Sequence, residues 1–210
     1  MSDSVRMAEA FGELAGAYDH DHHDAVARAL LELAPPAPGD AVADVACGAG
    51  AVALQVAARP PGPAPAVLAV DLSPDMIAVG RARAARQGCA GAIDWRAAPA
   101  VPLPVPDSSL DLILCASSLH FLGMRALADW RRALRPGGRI GFTLPVASRF
   151  RPSGVFAELV AQDLPLPEDA EQACSLATSA GFTDAGARTV TLGSRAVIAA
   201  TAKNPHPDAV

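Results

Sequence analysis

A chain of 210 residues can enclose one sizeable hydrophobic core, or a core with a small appendage, so a single domain is the default. Hydrophobic residues make up 51% and charged residues 19%, with a formal net charge of −5, a balance that suits a globular protein and argues against a nucleic-acid partner. The basic residues include one lysine, Lys203, and scattered arginines whose only cluster, Arg81, Arg83 and Arg86, reads as the solvated face of a helix.

Residues 7–33 have helical spacing in two pieces, "MAEAFGELAGAY" and "DAVARALLELA", which the run "PPAPGD" at 35–40 stops. "AVADVA" (41–46) is short, apolar and β-compatible, and a glycine turn leads from it into the helical "AVALQVAAR". "VLAVD" (67–71) reads as a buried strand ending in an acid. In the helix that follows, Ser73 is the expected N-cap, Pro74 sits at N1 and Gly88 closes the element. "AIDWR" (92–96), "LDLILCA" (110–116) and "RIGFTLP" (139–145) continue as strands, with a proline-rich loop at 98–107 and the helix "MRALADWRRAL" (124–134) ended by "RPGG".

This alternation predicts an α/β architecture, Rossmann-like and doubly wound around a mainly parallel sheet. After a helical region around 154–180, "GARTVTL" and "RAVIAATAK" flank a "GS" step and predict an antiparallel hairpin, giving seven strands. One domain over 1–203 is expected, with residues 1–34 as a helical cover and 204–210 as a frayed tail.

The four cysteines, Cys47, Cys89, Cys115 and Cys174, show no C-x-x-C pairing, so a disulfide framework or a zinc ribbon is not expected. The N-terminus lacks a basic region followed by an apolar run, and no segment reaches the ~18 unbroken apolar residues of a membrane span. The expectation is a cytoplasmic protein with no membrane partner.

Ligands of open α/β sheets bind beyond the carboxyl ends of the strands. The first such end is "DVACGAG", where Gly48 and Gly50 permit a tight turn and close approach of a ligand. Asp71 ends the second strand, where its carboxylate can accept both hydroxyl protons of a ribose. Gly48, Gly50 and Ala53 formally satisfy the nicotinamide-dinucleotide fingerprint, but Asp44 just before the turn would repel a pyrophosphate and suit an ammonium. S-adenosylmethionine, with an amino-acid end, a ribose and an adenine but no phosphate, fits both acids.

Residues from about 40 to 145 resemble a class I S-adenosylmethionine-dependent methyltransferase of the small-molecule type. "VADVACGAG" is similar to the family's first motif and "AVDLSPDMIAVGRARA" to its acid-bearing second. "LPVPDSSLDLILCASSLHFL" resembles the fourth-strand region and "ADWRRALRPGGRIGF" the turn before the fifth strand, while "FGELAGAYD" resembles the helical cover over the cofactor. The resemblance implies Asp44 near the cofactor amino group, Gly48 and Gly50 beneath the methionine portion, Asp71 on the ribose, and Leu72 and Met76 beside the adenine. Ala46 and Cys47 of the same turn, Ala98 and Pro99 after the third strand, Ala116 and Ser117 after the fourth, and Tyr18 as a covering ring complete the implied cofactor set.

Two positions depart from the family pattern: Ala46 replaces the first glycine of the loop, and Pro99 stands where an acid often meets the adenine. The implied reaction is methyl transfer to the O, N or C atom of a small molecule. The departures keep open a fold-sharing alternative, a cyclase or a ligand-binding protein, while Asp44 disfavours a nicotinamide oxidoreductase.

His120, in "CASSLHFL", is the catalytic candidate: at the fourth-strand rim an imidazole can take or orient the acceptor proton, or simply shape the pocket. Ser117 and Ser118 read as pocket-bordering, since no base and acid accompany them. "YDHDHHD" (18–24) brings three of the five histidines together. His20 with Asp24, or Asp19 with His23, would share a helix face at i, i+4, but no third ligand accompanies either pair, so no metal is expected.

Overall fold

The computed structural model describes residues 3–15, 20–59 and 66–206. The helical spacing of the N-terminal region resolves into α1 (Asp3–Leu14) and α2 (His20–Leu33). The expected strands follow as β1 (Val42–Val45), β2 (Val67–Asp71), β3 (Ile93–Ala97), β4 (Leu110–Cys115), β5 (Leu134–Pro145), β6 (Thr183–Leu192) and β7 (Arg195–Lys203). They form one sheet in the order β3-β2-β1-β4-β5-β7-β6, parallel from β3 to β5 and antiparallel through β7 and β6.

The near-continuous apolar character of β1, β2 and β4 reflects burial on both faces, as parallel sheets require. Successive residues alternate between two cores. Ile113 and Cys115 of β4 join Val45, Val70 and Phe142 on one face, while Leu112 and Leu114 join Val52, Leu54 and Ile77 on the other. The first face is covered by α6 (Met124–Ala133) and α8 (Ala170–Ser179), whose Leu127, Trp130 and Leu176 are buried there. The second is covered by α2, α3 (Ala51–Ala57) and α4 (Pro74–Arg86). At the start of α4, Ser73 caps the Met76 N–H and Pro74 sits at N1, as the sequence requires.

Trp95 of β3 lies against two glycines. A Cβ at Gly50 would fall 2.2 Å, and one at Gly80 2.4 Å, from its ring. Gly50 also has φ +78° at the N-terminus of α3, so its lack of a side chain serves the helix–sheet approach as well as the turn.

Four expectations need correction. "RPGG" is part of β5, where Leu110 pairs with Leu134 but Leu112 with Arg139, so the turn chemistry forms a bulge inside a strand. The region 154–180 divides into α7 (Val155–Leu159) and α8, because Pro165 and Pro167 interrupt helix between them. Arg83 is not solvated: it is buried, donates to both carboxylate oxygens of Asp24 at 2.7 and 2.9 Å and to the Ala49 carbonyl at 3.2 Å, and so ties α2 to the glycine turn. Asn204 is not frayed, since its buried amide donates to the carbonyls of Arg131, Leu134 and Arg135 where α6 ends. Among the described residues no helix is long and apolar enough to cross a membrane.

Candidate active site

The carboxyl ends of β1, β2 and β4 converge on the turn 46–50. Asp71 closes β2 with its carboxylate turned back onto that turn: Oδ2 accepts from the Gly48 N–H and Oδ1 from the Ser73 N–H, each at 2.8 Å. Burial raises its pKa, and the two N–H groups oppose the rise. Each oxygen keeps lone-pair capacity for a further donor.

Asp44, 1% exposed, accepts from the Ala53 N–H of α3 at 2.9 Å. Desolvation pushes its carboxyl up to about 8; the Ala53 bond lowers it and the neighbouring Asp71 charge adds to the rise. The Ser118 hydroxyl lies 3.3 Å from both the Ala46 and Ala116 carbonyl oxygens, linking the loops after β1 and β4. Two buried acids and two strand-end carbonyls make this a place for a cation.

A cavity of about 870 Å³, open mouth included, runs from Gly48 and Asp71 past Leu72 and Met76 to Pro99 and Val101. Phe11 of α1 and Phe121 of α5 (Leu119–Leu122) close its other side. These two rings meet edge to face at 5.5 Å, and Phe156 of α7 stands 5.2 Å from Phe11. Arg6 of α1 pairs with Glu158 of α7, so the N-terminal helix is held down by charge as well as by aromatic contact.

A second cavity, about 880 Å³ with its open mouth included, lies beyond the ends of β4 and β5. The segment 117–121 is the partition: Ser118 and Phe121 face the first cavity, Ser117 and His120 the second. Ser117 adopts φ +61° and its N–H donates to the Thr143 hydroxyl at 2.8 Å, which fixes the crossing. His120 is 5% exposed and packs between Phe121 and Phe150, with ring centroids 4.1 and 5.0 Å away. Its Nδ1 is buried without a hydrogen-bond partner, and desolvation lowers its pKa to about 4.

Residues 42–138 match the family model described as a methyltransferase domain. Over that stretch the chain is similar to the methyltransferase family. It is 38% identical over 141 residues to nocamycin O-methyltransferase of Saccharothrix syringae, covering 65% of this chain and 50% of that protein. To the ubiquinone/menaquinone biosynthesis C-methyltransferase UbiE of Geobacter sulfurreducens it is 36% identical over 118 residues, 54% of this chain and 46% of that one. The chain thus spans about half the length of the curated relatives it matches. A SAM-dependent methyltransferase from Aquifex aeolicus shares the fold at TM-score 0.64 and 20% identity, over 84% of this chain and 88% of its own.

Within this methyltransferase fold, six residues of the implied cofactor set line the first cavity, Ala46, Gly48, Asp71, Leu72, Met76 and Pro99, and Ser118 borders it too. Ser117 and His120 line the second. Asp44 is buried behind the turn and Cys47 and Gly50 are buried within it, while Ala98 and Ala116 stand at strand ends without lining either cavity. Tyr18 and Asp19 lie outside the described residues. Sequence reasoning read "FGELAGAYD" as a cover but missed the rings of Phe11 and Phe121 as cavity walls. It gave no sign of Arg149, in the turn after β5, or of Arg195, the first residue of β7, which only the fold brings to the same cavity as His120.

The histidine-rich stretch has a structural role and a place at the second cavity. Asp24 is engaged by Arg83, His22 and His23 contact each other with ring centroids 5.4 Å apart, and both line that cavity. Among the described residues no three His, Cys, Asp or Glu side chains gather as metal ligands.

Ala46 occupies a left-handed conformation, φ +51°, at the position where the family carries glycine. A residue with a Cβ is strained there by about 1–2 kcal/mol, and glycine's extra freedom in the unfolded chain takes back about 0.4–1 kcal/mol. Ala46→Gly is therefore expected to stabilise the protein by up to about 1.6 kcal/mol, read as a higher urea midpoint with unchanged slope.

Proposed function

We propose that the protein transfers the methyl group of S-adenosylmethionine to an O, N or C atom of a small-molecule acceptor. The observation that carries this reading is the pair of cavities divided by residues 117–121, one backed by acids and the other lined by His120. The first cavity suits the cofactor group by group. Asp71 offers acceptors to a ribose diol, and Leu72, Met76, Pro99 and Val101 form an apolar slot for a planar base. The Ala46 and Ala116 carbonyls, with Asp44 behind them, suit an ammonium. Neither buried acid suits a pyrophosphate, which disfavours a dinucleotide.

Bound S-adenosylmethionine supplies an electrophilic methyl on a sulfonium. The protein's part is then alignment and exclusion of water, which in well-oriented systems lower a barrier by ~7–11 kcal/mol. The rings of Phe11, Phe121 and Phe156 shut the first cavity from above. The ordered crossing at Ser117 sets the direction from which an acceptor meets the donor.

Calorimetry tests this assignment. S-adenosylmethionine and S-adenosylhomocysteine are expected to bind and NADH not to. At pH 7 the raised pKa of Asp44 keeps it protonated; an ammonium nearby favours the anion, so binding should release a proton. The observed heat should then change with the ionisation enthalpy of the buffer. Absence of heat with both sulfur ligands overturns the reading.

A further inference from the structure

The two cavities differ in charge. Asp71 lines the first and Asp44 lies behind it. The one arginine among its described lining residues, Arg125, turns its Nε–H to the Leu122 carbonyl at 3.0 Å. The second cavity has no acidic residue among its described lining residues. Arg149, from the turn after β5, and Arg195, at the start of β7, stand on its rim, both exposed. His22 and His23 of α2 face it from another side, and His120 from the strand-four rim. Many of the chain's other arginines, including Arg83, Arg132, Arg135, Arg139 and Arg188, are paired with a carboxylate; Arg149 makes no ion pair among the described residues. The walls are otherwise apolar, with Val146, Phe150 and Val197 among them.

His120 gives this charge pattern a chemical meaning. An imidazole whose pKa is depressed to about 4 is neutral at pH 7 and a poor base toward an ordinary phenol or alcohol. It is, however, a buried side chain on the wall of the cavity that Arg149 lines, and its Nδ1 has no hydrogen-bond partner. An acceptor that arrives already ionised makes no demand for a base, and a neutral imidazole can still donate one hydrogen bond to it.

Resting on the methyltransferase reading above, we propose that the second cavity selects an acceptor carried as its anion: a small aromatic or enolic acid whose charge meets Arg149 and whose apolar body lies against Phe150 and Val146. In the transfer, a lone pair of the acceptor anion forms the new bond to the methyl carbon as the carbon–sulfur bond breaks and sulfur keeps that pair. The anion and the sulfonium are both neutralised, so no proton has to move. A cation on the acid-backed side and an anion on the arginine side are drawn toward the same partition.

The probes that test this are matched pairs, an aromatic carboxylate and its amide (1-naphthoate and 1-naphthamide) and an acidic phenol and its methyl ether (4-nitrophenol and 4-nitroanisole). Each is titrated at pH 8 with and without saturating S-adenosylhomocysteine, and the ring signals of His120, assigned through His120→Gln, are followed by NMR. The anion of at least one pair is expected to bind about tenfold or more tightly than its neutral partner and to move the His120 signals. Arg149→Gln should abolish that preference and Arg149→Lys should largely keep it. Equal affinities within both pairs, no binding by any member, or a preference untouched by Arg149→Gln would overturn the proposal. The titrations without the sulfur ligand separate the two readings. Anion preference with no affinity for S-adenosylhomocysteine would remove the methyltransferase assignment and leave the anion site. Sulfur-ligand binding without anion preference would do the reverse.

Discussion

Asp71→Ala is expected to weaken binding of S-adenosylmethionine by roughly 1.5–3 kcal/mol, the range for hydrogen bonds to a charged group, which is on the order of 10- to 150-fold in Kd. The same change leaves the Gly48 and Ser73 N–H groups without the acceptors they have at 2.8 Å. Each orphaned buried donor costs about 1–3 kcal/mol, partly offset because a buried carboxyl with a raised pKa no longer has to be accommodated. The turn 46–50 should therefore loosen together with the loss of affinity. Asp71→Asn separates the two effects: one carbonyl oxygen still accepts from the backbone, while the amide NH2 cannot accept from a ribose. Calorimetry with chemical unfolding of both variants checks this. Unchanged cofactor affinity in a folded Asp71→Ala protein contradicts the placing of the ribose.

His120→Ala should leave cofactor binding intact and lower turnover. With an acceptor that must lose a proton as it attacks, the loss is expected near about 10²-fold, the low end of general-base effects, because a base with pKa about 4 works far from the Brønsted optimum. With an acceptor already ionised at the assay pH, the loss should shrink to about tenfold and fall mainly on KM, the size of one hydrogen bond. The pH profile carries the sign. Since burial lowers the imidazole pKa from 6.5 to about 4, His120 should produce no inflection near pH 6.5. Its share of stability is present above 6.5 and lost as pH falls toward about 4, where the unfolded chain takes up the proton first. Unchanged turnover with every acceptor, or loss of cofactor affinity on the scale of Asp71→Ala, would contradict its position on the acceptor side.

The parallel half of the sheet was legible because its strands are buried on both faces and bounded by strong punctuation: Gly48 and Gly50 after β1, Ser73-Pro74 before α4, Gly193 in the final hairpin. Much of the first cavity's wall was legible for the same reason, since Ala46, Gly48, Asp71 and Leu72 lie on a turn and a strand end. What escaped reading was assembled across the chain. Arg83 looked solvated because its partners, Asp24 and the Ala49 carbonyl, are 59 and 34 residues away. "RPGG" carries turn residues in a stretch that sheet pairing pulls into β5, so local preference yielded to tertiary context. The second cavity depends on Phe150, Arg149 and Arg195, which follow no spacing rule and join His120 only through the order β4-β5-β7.

Transfer of an isotopically labelled methyl group tests the central claim most directly. The purified protein, S-adenosylmethionine labelled at the sulfonium methyl and a panel of phenols, enolisable carbonyl compounds, carboxylic acids and amines are incubated, and both products are followed by mass spectrometry. The prediction is label on at least one acceptor, with S-adenosylhomocysteine formed in equal amount and both signals falling together in Asp71→Ala. Cofactor that binds but is never consumed, while an acceptor is nevertheless rearranged, would contradict methyl transfer and leave a cyclase on a methyltransferase fold.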